Sequence, residues 1–138
     1  MIPRINLITL AVADVARSRA FYEKLGWKAK QASNPHVAFF DLNGVILSLY
    51  GKEALANDTS VADAKPGSVT LAINLESKAA VDAAVKEAEG AGGVVLSPAQ
   101  DVFWGGYVGY VADPDGHPWE FAWAPMFAFD DAGHLVFD

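Results

Sequence analysis

The sequence predicts an α+β fold in which one arrangement, strand–helix–strand–strand–strand, occurs twice. Three observations predict it. Two helix caps, Asp14 and Ser77, each follow a run of strand-forming residues. Two hairpin turns, Asn43-Gly44 and Asp115-Gly116, each lie between apolar runs of strand composition. Caps and turns also keep a common spacing: Leu7 and Thr70 lie seven residues before a cap, and Ser48 and Glu120 four residues after a turn glycine. Internal repetition outranks local assignment in setting a fold. It makes Leu7 equivalent to Thr70 and Ser48 to Glu120. Strand parity then points all four away from the helix of their module.

The elements follow in order. Ile5 to Ala13 reads as a strand, with Ile8, Leu10 and Val12 on one face and Leu7, Thr9 and Ala11 on the other. Asp14 caps a helix over Val15 to Leu25, because its carboxylate can accept from free backbone N–H groups one turn on. Ser18, Phe21, Tyr22 and Leu25 make its inner stripe. Gly26 ends it in the left-handed conformation. Trp27 to Ala32 reads as a strand, broken by Ser33-Asn34-Pro35. His36 to Leu42 and Val45 to Tyr50 form a hairpin. Gly51 to Gly67 is small and charged and reads as a linker, with one helical turn near Glu53 to Ala56. Ser68 to Leu75 is a strand. Ser77 caps a helix over Lys78 to Glu89, rich in the strong helix formers Ala79, Ala80, Ala83 and Ala84. Val94 to Leu96 is a short strand ended by Ser97-Pro98. Phe103 to Ala112 and Pro118 to Ala124 flank the second turn. Pro125 stops the last strand, and Asp130-Asp131-Ala132-Gly133 is a turn between two short apolar pieces. The boundaries are a first module, 1–52, a linker, 53–67, a second module, 68–124, and a tail, 125–138.

Glu120 is the one acid in its strand, among Trp119, Phe121 and Trp123. The aromatics share a face and Glu120 takes the other with Ala122 and Ala124. A four-residue loop, Asp113 to Gly116, would pair Ala112 with His117 and set Gly109 opposite Glu120. Phe103, Gly105, Tyr107 and Val111 would then share the carboxylate's face. Phe103-Trp104-Gly105-Gly106-Tyr107 offers aromatics for a flat ligand and glycines for close approach. By parity Leu7, Thr9, Ser48, Tyr50, Thr70, Ala72, Asn74 and Glu120 face away from the helices and are candidates to floor a cleft, with Phe103, Trp104 and Tyr107 as further ligand-binding candidates. A carboxylate in such a cup suits a general base or a hydrogen-bond acceptor.

Composition narrows the function. The chain of 138 residues is 52% hydrophobic, enough for a sizeable core. No apolar run is long enough for a membrane helix, and no basic-then-apolar N-terminus marks a secretory signal. A cytoplasmic protein is the expectation. A net charge of −7 argues against nucleic acid and anionic membranes as partners. The absence of cysteine excludes disulfides and thiolate chemistry. His36, His117 and His134 form no ligand set by spacing. No glycine-rich phosphate loop opens a helix after a strand.

Two stretches carry a resemblance. Ala11-Val12-Ala13-Asp14 leads to Arg17-Ser18-Arg19-Ala20-Phe21-Tyr22-Glu23-Lys24-Leu25-Gly26, and the second signature is Asp113-Pro114-Asp115-Gly116-His117-Pro118-Trp119-Glu120. With the repeat, residues 4 to 124 resemble the vicinal oxygen chelate superfamily, the glyoxalase, bleomycin-resistance protein and extradiol dioxygenase group. The resemblance implies two βαβββ modules forming a curved mixed sheet around a cleft, helices outside, in a homodimer. It also implies four inward metal-ligand positions, His or Gln, Glu, His or Gln, and Glu. These fall on Leu7, Ser48, Thr70 and Glu120, of which only Glu120 matches. About three protein ligands are wanted by a catalytic zinc or iron, so no metal and no other cofactor is expected. The implied function is metal-independent binding of a small aromatic or amphipathic molecule, as in the drug-sequestering members. The alternative is a lyase or isomerase with Glu120 as general base. A third possibility takes metal ligands from elsewhere, such as His134 or a partner chain.

Overall fold

The computed structural model describes residues 3–62 and 65–136. The chain divides into two compact units, Met1–Pro66 and Gly67–Asp138.

The first unit runs β1 (Leu7–Val12), α1 (Val15–Lys24), β2 (Val37–Leu42), β3 (Val45–Gly51) and α2 (Lys52–Thr59). Its sheet has the order β1-β3-β2, with β1 parallel and β2 antiparallel to β3. The Asp14 side chain accepts from the Arg17 N–H at 2.9 Å and starts α1. Val15, Ser18, Phe21 and Tyr22 are its buried residues. They pack on the sheet face made by Leu10, Val12, Ala38, Phe40, Leu47 and Leu49, all buried. The ring centroids of Tyr22 and Phe40 are 5.8 Å apart. Asn43 at φ 58 and Gly44 at φ 101 form the hairpin turn, which needs positive φ at both positions.

Two elements of this unit differ from the sequence expectation. Trp27 to Ala32 is not a strand; it makes one isolated bridge, Ala29 to Phe40. Trp27 stacks on Tyr22 at 5.3 Å, so its ring belongs to the core under α1. The alternation of Trp27 and Ala29 with Lys28 and Lys30 stops at Gln31, which leaves too short an apolar face for a strand. The segment read as a linker holds α2, which the Tyr50 hydroxyl ties to the sheet by donating to Asp58 Oδ2 at 3.2 Å.

The second unit runs β4 (Leu71–Asn74), α3 (Lys78–Gly90), β5 (Val94–Asp101), β6 (Tyr107–Ala112), β7 (Pro118–Trp123), β8 (Ala128–Phe129) and β9 (Leu135–Val136). Its main sheet has the order β4-β7-β6-β5, and β8 and β9 pair separately in the tail. Ser77 accepts from the Ala80 N–H at 3.1 Å to start α3, whose buried residues are Val81 and Ala88. Beneath it lie Val111, Trp119 and Phe121, all buried. Strand β5 runs well past Ser97-Pro98, because register shifts between Val95 and Ser97 and between Ser97 and Gln100 absorb the proline. A bulge on an edge strand tolerates the missing N–H. Among the described residues no helix is long and apolar enough to cross a membrane.

Gly109 is where α3 meets the sheet. A Cβ there would lie 2.8 Å from Val85 Cγ2 and 3.2 Å from the Ala99 Cα. Gly109→Ala is expected to lose about 1–3 kcal/mol of stability by overpacking, measured by urea denaturation. Ser18 is the opposite case: its hydroxyl is fully buried and makes no hydrogen bond. Ser18→Ala is expected to be neutral or to stabilise by up to about 1 kcal/mol, since a buried polar atom without a partner is removed and helix propensity rises.

Candidate functional site

The geometry around Glu120 starts at the turn before it. The Asp113 side chain is 2% exposed. Its Oδ1 accepts from the N–H groups of Asp115 and His117, each at 2.9 Å. The Asp113 N–H donates to the His117 carbonyl at 2.9 Å, and the Gly116 N–H to the Asp113 carbonyl at 3.0 Å. His117 is therefore part of the loop, and the first strand pair is Ala112 with Pro118.

This corrects the sequence-based register by one residue. Tyr110, not Gly109, lies opposite Glu120, and Gly109 lies opposite Phe121. A one-residue slip moves a whole strand's side chains to the other face. Val108, Tyr110 and Ala112 share the face of Glu120, whereas Tyr107 and Val111 stand on the α3 face with Trp119, Phe121 and Trp123.

On the face of this sheet away from α3, one row runs Ala72, Glu120, Tyr110, Ser97 across four strands. The Tyr110 hydroxyl donates to Glu120 Oε2 at 2.7 Å, partly buried. That bond, with burial and the carboxylate charge behind it, pushes the Tyr110 pKa from 10.0 up to about 12. The phenol thus stays protonated as a donor. Among the described residues Glu120 Oε1 has no partner and can still accept a proton or a hydrogen bond. Tyr110 was missed because one residue of turn length decides its face. The signal was present: Asp113-x-x-Gly116-His117 recurs as Asp130-x-x-Gly133-His134. There Asp130 Oδ1 accepts from Ala132 and His134 N–H groups in the same way.

The first unit brings four candidates onto one face. Thr9 lies opposite Ser48, and both share parity with Leu7 and Tyr50. Leu7 is 45% exposed and Ser48 3%. Phe39 completes the Thr9–Ser48 row. The repeat reappears in the registers: Thr9 is the parallel partner of Ser48, and Ala72 that of Glu120.

The remaining candidates are dispersed in the second unit. Thr70 is exposed and precedes β4. Phe103 is wholly exposed on the loop between β5 and β6, and Trp104 is 42% exposed. The Trp104 ring lies over Gly106, where it leaves no room for a Cβ, and 6.5 Å from the Phe127 ring. Tyr107 does not join Glu120: its hydroxyl donates to Asp82 of α3 at 2.7 Å, which raises its pKa. The Lys78 ammonium sits over the Tyr107 and Trp123 rings, 5.4 Å and 5.9 Å from their centroids, and pairs with Asp101. His134 pairs with Asp130 through Nδ1 at 2.9 Å.

The residues at the four implied ligand positions do not fit a divalent transition metal. Leu7 has no lone pair, the Ser48 and Thr70 hydroxyls are weak donors, and one oxygen of Glu120 is committed to Tyr110. Among the described residues no group of three or more His, Asp or Glu is placed to hold a metal ion.

Comparison with known proteins agrees with this architecture. A family model, described as Glyoxalase/Bleomycin resistance protein/Dioxygenase superfamily, matches residues 4–121. The structure of a glyoxalase-related enzyme from Fulvimarina pelagi is 36% identical, with a TM-score of 0.90 and 99% of each chain covered. A glyoxalase/bleomycin resistance protein/dioxygenase from Nocardioides is 28% identical, with a TM-score of 0.75, 99% of this chain and 89% of that one covered. A lactoylglutathione lyase from Agrobacterium tumefaciens, 22% identical with a TM-score of 0.68 over 92% of this chain and 98% of that one, shares the fold. Comparison with curated proteins gives no match.

The sign of the pH dependence follows from Tyr110. Its pKa is higher in the folded protein, so the bond to Glu120 contributes fully below about pH 10 and is lost as pH rises through about 12. Glu120→Gln is expected to return Tyr110 ionisation toward 10.0, read as tyrosinate absorbance against a Tyr110→Phe reference.

Proposed function

The chain belongs to the glyoxalase/bleomycin resistance protein/dioxygenase superfamily, and on that premise we propose that it binds a small aromatic or amphipathic molecule without a metal. The observation that carries this reading is the Tyr110–Glu120 hydrogen bond. The one carboxylate left among the four family ligand positions is engaged by a phenol, and its free Oε1 is an acceptor for a ligand N–H or O–H. Polar groups that orient a ligand are few in such sites, and apolar surface supplies most of the affinity. Val108, Ala112 and Ala122 share the face of the pair and are buried, so they form an apolar backing around it. On the first unit, Leu7, Thr9, Ser48 and Tyr50 give a face of similar chemistry. Thr70, Phe103 and Trp104 remain in the proposal, whereas Tyr107, on the α3 face with its hydroxyl on Asp82, leaves it. The same reading takes the protein as a cytoplasmic homodimer, which sedimentation would test.

A second reading is favoured by the open Oε1. Glu120 would remove a proton from a carbon next to a substrate carbonyl, and the Tyr110 hydroxyl would stabilise the carboxylate before transfer. The proton would return to a different carbon in an isomerase. In a lyase a leaving group would depart as the electron pair shifts.

Purified protein is expected to carry no stoichiometric divalent metal by elemental analysis; a full equivalent would overturn the metal-independent reading. Hydrophobic drugs are expected to raise the melting temperature or quench Trp fluorescence, and a panel that does neither removes its support. Glu120→Gln is expected to leave sequestration within about tenfold, the loss of one charge-assisted hydrogen bond. If Glu120 is a base, the same change abolishes turnover.

A further inference from the structure

Among the described residues Glu120 carries the only charge on its face of the second sheet. Every other side chain that register places there is uncharged, from Ala72 and Asn74 of β4 to Ser97 and Gln100 of β5. Its hydrogen-bond donor is the Tyr110 hydroxyl, a neutral group that leaves the negative charge in place. No described lysine, arginine or histidine makes an ion pair with it. Residues 1, 2, 63, 64, 137 and 138, which lie outside the description, include none of these side chains.

The setting of this charge is the second observation. Two other acids of the unit are matched by cationic partners on its surface, Asp101 by Lys78 and Asp130 by His134. The buried Asp113 is held by two backbone N–H groups. Glu120 has neither kind of support. It is half-buried beside Val108, Ala112 and Ala122, all buried and apolar. Apolar surroundings strengthen both the pull of a carboxylate on a countercharge and its repulsion of an anion. The position is reachable, because Glu120 and Tyr110 each keep part of their surface and Ala72, next to Glu120 across the strands, is exposed.

We infer that the ligand of this site is an amphipathic amine, whose ammonium N–H donates to Glu120 Oε1 while its apolar body lies along the Tyr110 ring and Ala72. This rests on the ligand-binding reading proposed above and adds the sign of the ligand's charge, which that reading leaves open. A carboxylate, phosphate or sulfonate would bring a second negative charge to a face with no cation. A neutral donor can reach Oε1 but leaves the charge unbalanced. The net charge of −7 on the chain draws cations from solution in the same sense.

Three probes with one aryl body test it: phenethylamine, phenethyl alcohol and 3-phenylpropanoate, titrated near neutral pH against isotope-labelled protein and followed by NMR. The amine is expected to bind about tenfold tighter than the alcohol, the worth of a hydrogen bond to a charged group, and the propanoate more weakly than either. Its shifts are expected to centre on the Glu120 and Tyr110 amides, and added salt to narrow its advantage. Glu120→Gln is expected to bring the amine to the level of the alcohol and to leave the alcohol nearly unchanged. Tyr110→Phe keeps the carboxylate and is expected to keep the preference. Equal binding of amine and alcohol overturns the inference and leaves the binding reading standing; binding of none of the three overturns both. The inference also falls if the propanoate binds best, if the shifts of the unaltered protein centre elsewhere, or if the preference for the amine survives Glu120→Gln.

Discussion

The buried carboxylate of Asp113 sets the register on which the second unit depends. It gathers the N–H groups of Asp115 and His117 at 2.9 Å and lengthens the loop by one residue over the simple turn. Ala112 then meets Pro118, and Tyr110 meets Glu120. Had His117 paired instead, Tyr110 would stand under α3 and Gly109 would face the carboxylate. A packed helix face could not hold that phenol without a partner for its hydroxyl. Gly109 shows how little room α3 leaves, since a methyl group there would already press on Val85. Turn chemistry and core packing thus select the same register.

Much of the architecture was legible in the sequence because its signals are local. Asp14 and Ser77 cap helices where the sequence puts them. Thr9 and Ser48 share a face because strand parity is a strict period of two. What was not legible depends on small energetic differences between alternatives. The length of the Asp113 loop turned on two side-chain hydrogen bonds. Trp27 favours a strand by its composition, yet its ring stacks on Tyr22 and the segment makes one isolated bridge. Pro98 looked like a strand end and is absorbed in a bulge. Only one turn of α2, near Glu53 to Ala56, was legible, because its apolar residues are few.

Between them the candidate residues show how one family frame can host different chemistry. Ser48 and Glu120 keep their backbone equivalence through the repeat, as their paired registers show. Leu7, Ser48, Thr70 and Glu120 carry an alkyl group, two hydroxyls and a carboxylate. A hydroxyl beside an alkyl group can orient an organic ligand but holds a transition metal poorly. Tyr110 then answers the question of what neutralises the solitude of Glu120: a neutral donor, which leaves the carboxylate's charge in place.

In each unit the parallel strand pair joins the first strand to one near the end, β1 to β3 and β4 to β7. The helix and a hairpin partner lie between them in the chain, so neither sheet can be completed from neighbouring segments. Contacts of such long sequence separation slow folding, because loop closure must precede the contacts that reward it. On the ribosome β1 must wait for β3, and β4 for β7, while the intervening apolar segments remain without their final cover. The order of synthesis therefore imposes a waiting period twice, once for each repeat.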